Sequence, residues 1–487
     1  MILSIDQSTQ ATKGLVWALD GNLLGRADVP HMQITSSKGW IEHCPDEILS
    51  NTCLAAKKAI MTAGASPKDI LVIGLSNQRE TAVCWSRKTG EPLCNAIVWQ
   101  CGRAVDVAES VSSLSEEILD KTGLVLSPYF SAAKFGWMVK HVPEVKKALE
   151  TGDLCCGTID SWLIFKLTGE FKTDYSNASR TQLFDLNRLE WSSRIAEAFG
   201  LSTECLPQVC MSDSFFGSTN LNGLLPEPVP IHGVLGDSHG AFYGNQCFDV
   251  FSGKITYGTG SSIMVNAGEQ RPPLLDGIAT SLAWGLNGKV EYVYEGNINY
   301  TGAVIRWIVE DIGLIANPNE SGQIAVSIPD TVGVYLVPAF TGLGSPYYSN
   351  DARAAWVGMN PTTKKAHLVR AALECICYQI RDVVDIIHDH RPINIIRVDG
   401  GLTKNKFLMD FQAGILGVPV EVSQTEELSG MGVAFCAALG AELTTKEEIF
   451  KNQKYKKIAP EIENSIREEL YNGWKKAVKM LILGGTR

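Results

Sequence analysis

The chain opens on apolar runs that end in polar residues. Residues 2–5 read as a buried strand, the polar turn Asp6-Gln7-Ser8-Thr9 follows, and residues 14–19 form a return strand. Asp20-Gly21 is a hairpin signal, and a third strand begins at residues 22–25. Pro45-Asp46-Glu47 places proline and acids in the first turn of a helix running to about residue 63. A second apolar run, residues 70–75, delivers Ser76-Asn77-Gln78-Arg79-Glu80-Thr81 at its carboxyl end, where ligands sit in open α/β sheets. Residues 253–257, the turn Gly258-Thr259-Gly260-Ser261-Ser262 and a strand at 263–266 repeat the opening unit, which predicts two similar halves, each offering a turn to a shared cleft. Further on, residues 366–387 carry apolar positions at helical spacing. A strand at 393–398, the turn Asp399-Gly400-Gly401-Leu402-Thr403 and a helix at 404–416 then put backbone N–H groups at a helix N-terminus. The proline-dense stretch Leu225-Pro226-Glu227-Pro228-Val229-Pro230 is the candidate domain boundary, with the division just beyond it, giving domains 1–245 and 246–487.

Composition leaves this α/β reading intact, and charge narrows the partners. A net charge of −10 argues against nucleic acid and anionic membranes. It leaves ATP open, because backbone N–H groups and a few cations suffice to build a phosphate site. No run reaches the ~18 apolar residues of a membrane span. The amino-terminal residues lack the pattern of a signal peptide. Thirteen cysteines without a C-x-x-C spacing predict reduced, mostly core thiols in a cytoplasmic protein.

Three small-residue turns, beginning at Asp6, Gly258 and Asp399, are candidate phosphate cradles; none is a P-loop or a dinucleotide fingerprint. Arg79 can donate to the hydroxyls of a small polyol, Glu80 can accept from them, and Trp99 can cover the carbon chain. A surface ion pair beside a core Trp accounts for the same residues. Asp237, in Gly236-Asp237-Ser238-His239-Gly240, is either a helix N-cap or the carboxylate that takes a proton from an attacking hydroxyl. His239 beside it reads as structural.

Longer motifs then converge. Gly39-Trp40-Ile41-Glu42-His43-Cys44-Pro45, Ser76 to Thr81, Asn95 to Gln100, Tyr129-x-Ser131-x-x-Lys134-Phe135-x-Trp137-Met138, residues 335–344, residues 354–374 and Val398-Asp399-Gly400-Gly401 resemble the FGGY carbohydrate kinases nearly end to end, and within that family the glycerol kinase branch. The resemblance implies two actin-like ATPase (ribonuclease H-like) domains with a deep interdomain cleft. It implies ATP and Mg²⁺, a small polyol or sugar acceptor, no nucleic acid, no membrane insertion, and room for a homodimer. By the same resemblance Asp237 is the general base. Arg79, Glu80, Trp99, Tyr129, Ser238 and Ser262 surround the acceptor, and Asp6 stands near the metal. Gln7, Ser8, Thr9, Lys13, Thr259, Gly302, Arg306, Gly401 and Asn405 belong to the nucleotide.

Four departures from the family pattern stand out. Ser238 replaces a Gln that touches the acceptor, and Ser262 replaces an aromatic that walls the glycerol carbons, so an acceptor larger than glycerol is expected. Ser8 replaces Gly in the first phosphate turn, and Arg306 replaces Gln on the adenine side. The loop at 216–230 lacks the basic, Gly-rich motif that binds a sugar bisphosphate inhibitor in some bacterial members. A ketose kinase (xylulose, ribulose or erythrulose) is the competing reading. An actin- or chaperone-like ATP-binding module without an acceptor is the alternative of another class.

Overall fold

The computed structural model describes residues 1–484. Its first sheet is built from β1 (Ile2–Gln7), β2 (Ala11–Trp17), β3 (Leu23–Pro30), β4 (Val72–Asn77), β5 (Ser218–Thr219) and β6 (Val229–Gly236), in the order β5-β6-β4-β1-β2-β3. β1, β2 and β3 form an antiparallel meander, while β4 and β6 run parallel to β1. The two central strands, β1 and β4, are buried along their whole length, which is why their opening residues are mostly apolar. Their parallel register aligns Asp6 with Ser76 and Gln7 with Asn77, so both strands end in polar groups at one edge. Both run further than their apolar residues: Asp6 and Gln7 belong to β1, and the turn shrinks to the residues between Gln7 and Ala11.

After β6 the helix α1 (Asp237–Gly244) leads to the second sheet: β7 (Ser252–Tyr257), β8 (Ser261–Gly268), β9 (Ala279–Leu286), β10 (Lys289–Ile298), β11 (Ile395–Gly400), β12 (Val420–Ser423) and β13 (Tyr455–Ile458). Its order is β9-β10-β8-β7-β11-β12-β13. The antiparallel β7, β8 and β10 followed by the parallel β11 and β12 repeat the plan of the first sheet. The proline-dense stretch leads into β6, whose start pairs with β5 at the edge of the first sheet, and the chain leaves that sheet only after α1.

Three helices of the second half bear on function: α2 (Gly302–Glu310), α3 (Lys406–Leu416) and α4 (Leu428–Gly440). Helix α4 packs against α1 and against β1, β4 and β6 of the first sheet. Leu15, Trp17, Leu235, Met264, Trp284 and Phe435 join in one core that both sheets share. The α1–α4 crossing brings backbone against backbone. A Cβ placed on Gly432 would stand 1.9 Å from the carbonyl oxygen of Gly240.

Among the described residues, no helix is long and apolar enough to cross a membrane. All thirteen cysteines are free.

Candidate active site

Asp6, next to last in β1, is almost wholly buried, and its Oδ1 has no hydrogen-bond partner. Lys13 Nζ lies 3.7 Å from Asp6 Oδ2 and 2.8 Å from Glu427 Oε2. Burial pushes the Asp6 carboxyl above the usual range; Lys13 opposes the shift and Glu427 adds to it. Gln7 is buried, donates to Ser8 O and accepts from Gln78 Nε2 at 3.1 Å. Ser8 turns its hydroxyl back into its own turn, donating to Ala11 O at 2.8 Å. The side chain that replaces Gly is therefore spent on the hairpin. Thr9 Oγ1 accepts from Trp99 Nε1 at 2.9 Å, so the first turn is tied to the aromatic cluster.

Arg79 and Glu80 follow β4 and are buried. Glu80 has a φ of 60°, and Thr81 N donates to Arg79 O at 2.8 Å across it, a tight three-residue turn. Trp99 and Tyr129 meet edge to face, with ring centroids 5.6 Å apart. The loop carrying Tyr129 is anchored from beneath by Lys134, which donates to the carbonyls of Pro128, Tyr129 and Phe130. Burial lowers the Lys134 amine to about 7, with Glu80 opposing.

Asp237 is the first residue of α1, and the cap position belongs to Gly236. The N-cap reading of Asp237 therefore fails. Its carboxylate is 36% exposed and lies 3.4 Å from Arg79 Nε. Burial raises the Asp237 carboxyl, Arg79 pulls it back, and Asp6 adds to the rise. Ser238 donates its backbone N–H to Asp237 Oδ1 at 2.7 Å, and its carbonyl accepts from the buried Lys254 at 3.4 Å. Ser262 Oγ lies 3.4 Å from Glu295 Oε1. His239 is buried and its ring nitrogens have no partners. Burial first, then Arg79, push it well below its ordinary value, which leaves it neutral.

On the second sheet, the turn at Thr259 abuts the start of α2. Gly302 N donates to Gly258 O at 3.1 Å, and Thr259 O accepts from Thr301 N and Ala303 N. A Cβ on Gly302 would stand 2.5 Å from Gly258 O, so only glycine allows this approach. A cavity of about 800 Å³ lies alongside, lined by Ile305, Ser321, Gly401, Lys404, Asn405 and Phe407 among others. Asn405 caps α3 through Leu408 N and donates to Ser321 Oγ at 3.2 Å. Arg306 is exposed on α2 and is not among the residues lining this cavity.

Sequence reasoning missed four residues at this site: Arg180, Lys254, Glu295 and Glu427. Arg180 Nε donates to Glu80 Oε1 at 2.7 Å, and Glu295 accepts from both Nη atoms of Arg79. One signal was present for Lys254, a lone charge in a strand otherwise apolar or uncharged.

Two α/β lobes of one plan, with acids, glycine turns and an aromatic pair where their strands end, define a phosphotransferase of the kind that grips a small hydroxylated acceptor. The chain belongs to the FGGY family of carbohydrate kinases: the family's N-terminal domain matches residues 1–244 and its C-terminal domain residues 253–441. It is 45% identical to glycerol kinase 1 of Thermotoga maritima, over 99% of each chain. Identity to the glycerol kinase of Caldanaerobacter subterraneus is 41%, over 98% of each. Among solved structures, Plasmodium falciparum glycerol kinase with ADP superposes with a TM-score of 0.92 at 34% identity, covering 99% of this chain and 98% of that one. Xylulose kinase of Lactobacillus acidophilus, at 21% identity, 99% and 98% coverage and a TM-score of 0.88, shares the fold.

Proposed function

We propose that this chain transfers the terminal phosphoryl group of ATP to a primary hydroxyl of glycerol. The observation that carries the reading is Asp237: a partly open carboxylate, 3.4 Å from Arg79 Nε, at the edge where β4 and β6 end. In the transfer the bond between the γ-phosphorus and the ADP oxygen breaks, a bond to the acceptor oxygen forms, and the hydroxyl proton passes to Asp237. A carboxyl raised by burial is better matched to that proton than one in water. Arg79 donates to the acceptor hydroxyls, Glu80 accepts from them, and Trp99 and Tyr129 cover the carbon chain.

The nucleotide takes the other side. Gly401 and Asn405 border the space for adenosine, and Arg306, outside it, is dropped from that set. Thr259 and Gly302 present a backbone turn to the phosphates, as do Gln7, Ser8 and Thr9 opposite, with Lys13 as the cation. A divalent cation such as Mg²⁺ fits the unpartnered, buried Oδ1 of Asp6; bound there, it would neutralise phosphate charge. Lys13 and the turn of Ser8 and Thr9 hold the phosphates beside it. The edge-to-face pair Trp99 and Tyr129 keeps water from competing as acceptor.

The test is ADP release across polyols and ketoses of three to six carbons, with Asp237→Asn as control. Glycerol-dependent release that falls by ~10²–10⁴-fold in the variant is expected. ATP turnover that is the same with and without every acceptor refutes the reading. Ser238 and Ser262 favour a second reading of the acceptor alone, a four- or five-carbon polyol or ketose, because small hydroxylated side chains stand where the family places larger ones. Glycerol as clearly the best substrate in the panel would defeat that version.

A further inference from the structure

We infer that Glu295, supplied by the second sheet, is a positioning residue for the acceptor. It fixes the guanidinium of Arg79, so that one lobe completes the acceptor site of the other. This rests on the kinase reading above.

Glu295 stands on β10, paired in register with Met264 of β8 and wholly buried. Its two oxygens accept from Arg79 Nη1 at 2.9 Å and Nη2 at 2.8 Å. Arg180 Nη1 lies 3.1 Å from Oε2, while Arg180 Nε holds Glu80. Glu80, Arg180, Glu295 and Arg79 therefore alternate in sign and cancel, and none of the four side chains is more than 6% exposed. Such a set differs from a surface ion pair. Removing one member leaves a buried charge uncompensated, and the geometry of the others is specified by it.

The geometry shows what is specified. A guanidinium carries five N–H groups in a plane. The paired contact with Glu295 uses one on each Nη and locks that plane. The second N–H of each Nη is left for hydroxyls, and Nε faces Asp237 at 3.4 Å. The group that reads the acceptor and adjoins the base is thus aimed by a carboxylate from the opposite sheet. Packing alone would not call for a charge on β10, whose neighbours Val293 and Tyr294 are also buried. Ser262 Oγ, 3.4 Å from the same carboxylate, adds a polar contact where the family has an aromatic.

The experiment measures initial rates of ADP release in wild type, Glu295→Gln and Glu295→Asp, with glycerol varied and then ATP varied. Glu295→Gln should raise the glycerol KM at least tenfold and leave the ATP KM within twofold. Glu295→Asp, which keeps the charge on a shorter arm, should recover at least threefold of that loss and still leave the glycerol KM threefold or more above wild type. A smaller rise, an equal rise in both KM values, or no recovery in Glu295→Asp overturns the inference. Should Glu295→Gln fail to fold, Glu295→Asp decides alone. A glycerol KM raised threefold or more with the ATP KM unmoved supports the role, and anything less overturns it. Wild-type protein whose ADP release is the same with and without every acceptor of the panel would instead defeat the kinase reading, so the two failures are distinct.

Discussion

Gly432→Ala tests the joint between the lobes. An alanine methyl there would stand 1.9 Å from Gly240 O, 2.7 Å from Gly240 C and 2.9 Å from Gly244 N. Real Cβ atoms essentially never approach closer than 3.0 Å, so α1 and α4 must separate by roughly 1 Å. All three obstacles are backbone, so no side chain can rotate out of the way. Overpacking of this kind costs ~1–3 kcal/mol, and the helix propensity gained on replacing Gly returns only ~1 kcal/mol. A 1.9 Å approach to rigid backbone belongs at the upper end of that range, so a net loss of about 2 kcal/mol is expected. The same shift reaches the chemistry. Asp237 opens α1, Ser429 Oγ of α4 donates to Asp237 O at 2.9 Å, and Glu427, just before α4, holds Lys13 at 2.8 Å. Misplacing reacting groups by 1 Å costs up to ~10²-fold in rate. Urea unfolding and kcat should be measured beside Gly102→Ala, whose added methyl meets nothing within 4 Å. A Gly432→Ala protein within about 0.5 kcal/mol and twofold in kcat of wild type, well short of the ~2 kcal/mol net loss expected, refutes the backbone-contact argument.

Two further outcomes follow from the acceptor side. Ser262→Phe puts back an aromatic wall; glycerol should gain in kcat/KM and four- and five-carbon polyols should lose, each by ~10–200-fold, as for a pocket methylene change. An unchanged ratio between the two acceptor classes counts against Ser262 as a specificity residue. Lys134→Met leaves the carbonyls of Pro128, Tyr129 and Phe130 without their donor, a loss of ~1–3 kcal/mol above neutral pH. Its pH dependence has a definite sign. The folded amine releases its proton near 7, whereas the unfolded one holds it to about 10.4. Between those values the unfolded chain binds more protons, so wild-type stability should rise relative to Lys134→Met, by up to ~1.4 kcal/mol per pH unit. Chemical unfolding at pH 6.5, 8 and 9 checks this; parallel curves for the two proteins would sink it.

What the sequence made legible was what local pattern encodes. An apolar strand ending in Ser76-Asn77-Gln78-Arg79-Glu80 could be placed at a sheet's carboxyl edge because burial and polarity change within a few residues. The repeat of strand, turn and strand at residue 253 forecast the shared plan of both sheets for the same reason. Pairings across the chain left no such trace. Arg79 meets Glu295 216 positions away, and Arg180 meets Glu80 across 100. Helix α4 shows the limit from the other side. Leu428–Gly440 is apolar or small almost all round, which marks a helix without a solvent face but does not say which sheets cover it. It lies across the first sheet although it comes from the second half, because Gly240, Gly244 and Gly432 let two helix backbones touch. The division of the chain near residue 245 and the division of its cores are therefore different things. Asp237 stands on one crossing helix, and the acid that holds Lys13 stands beside the other. Movement at the crossing moves the proposed base against the proposed phosphate site. That dependence is a property of the joint, and no single motif contains it.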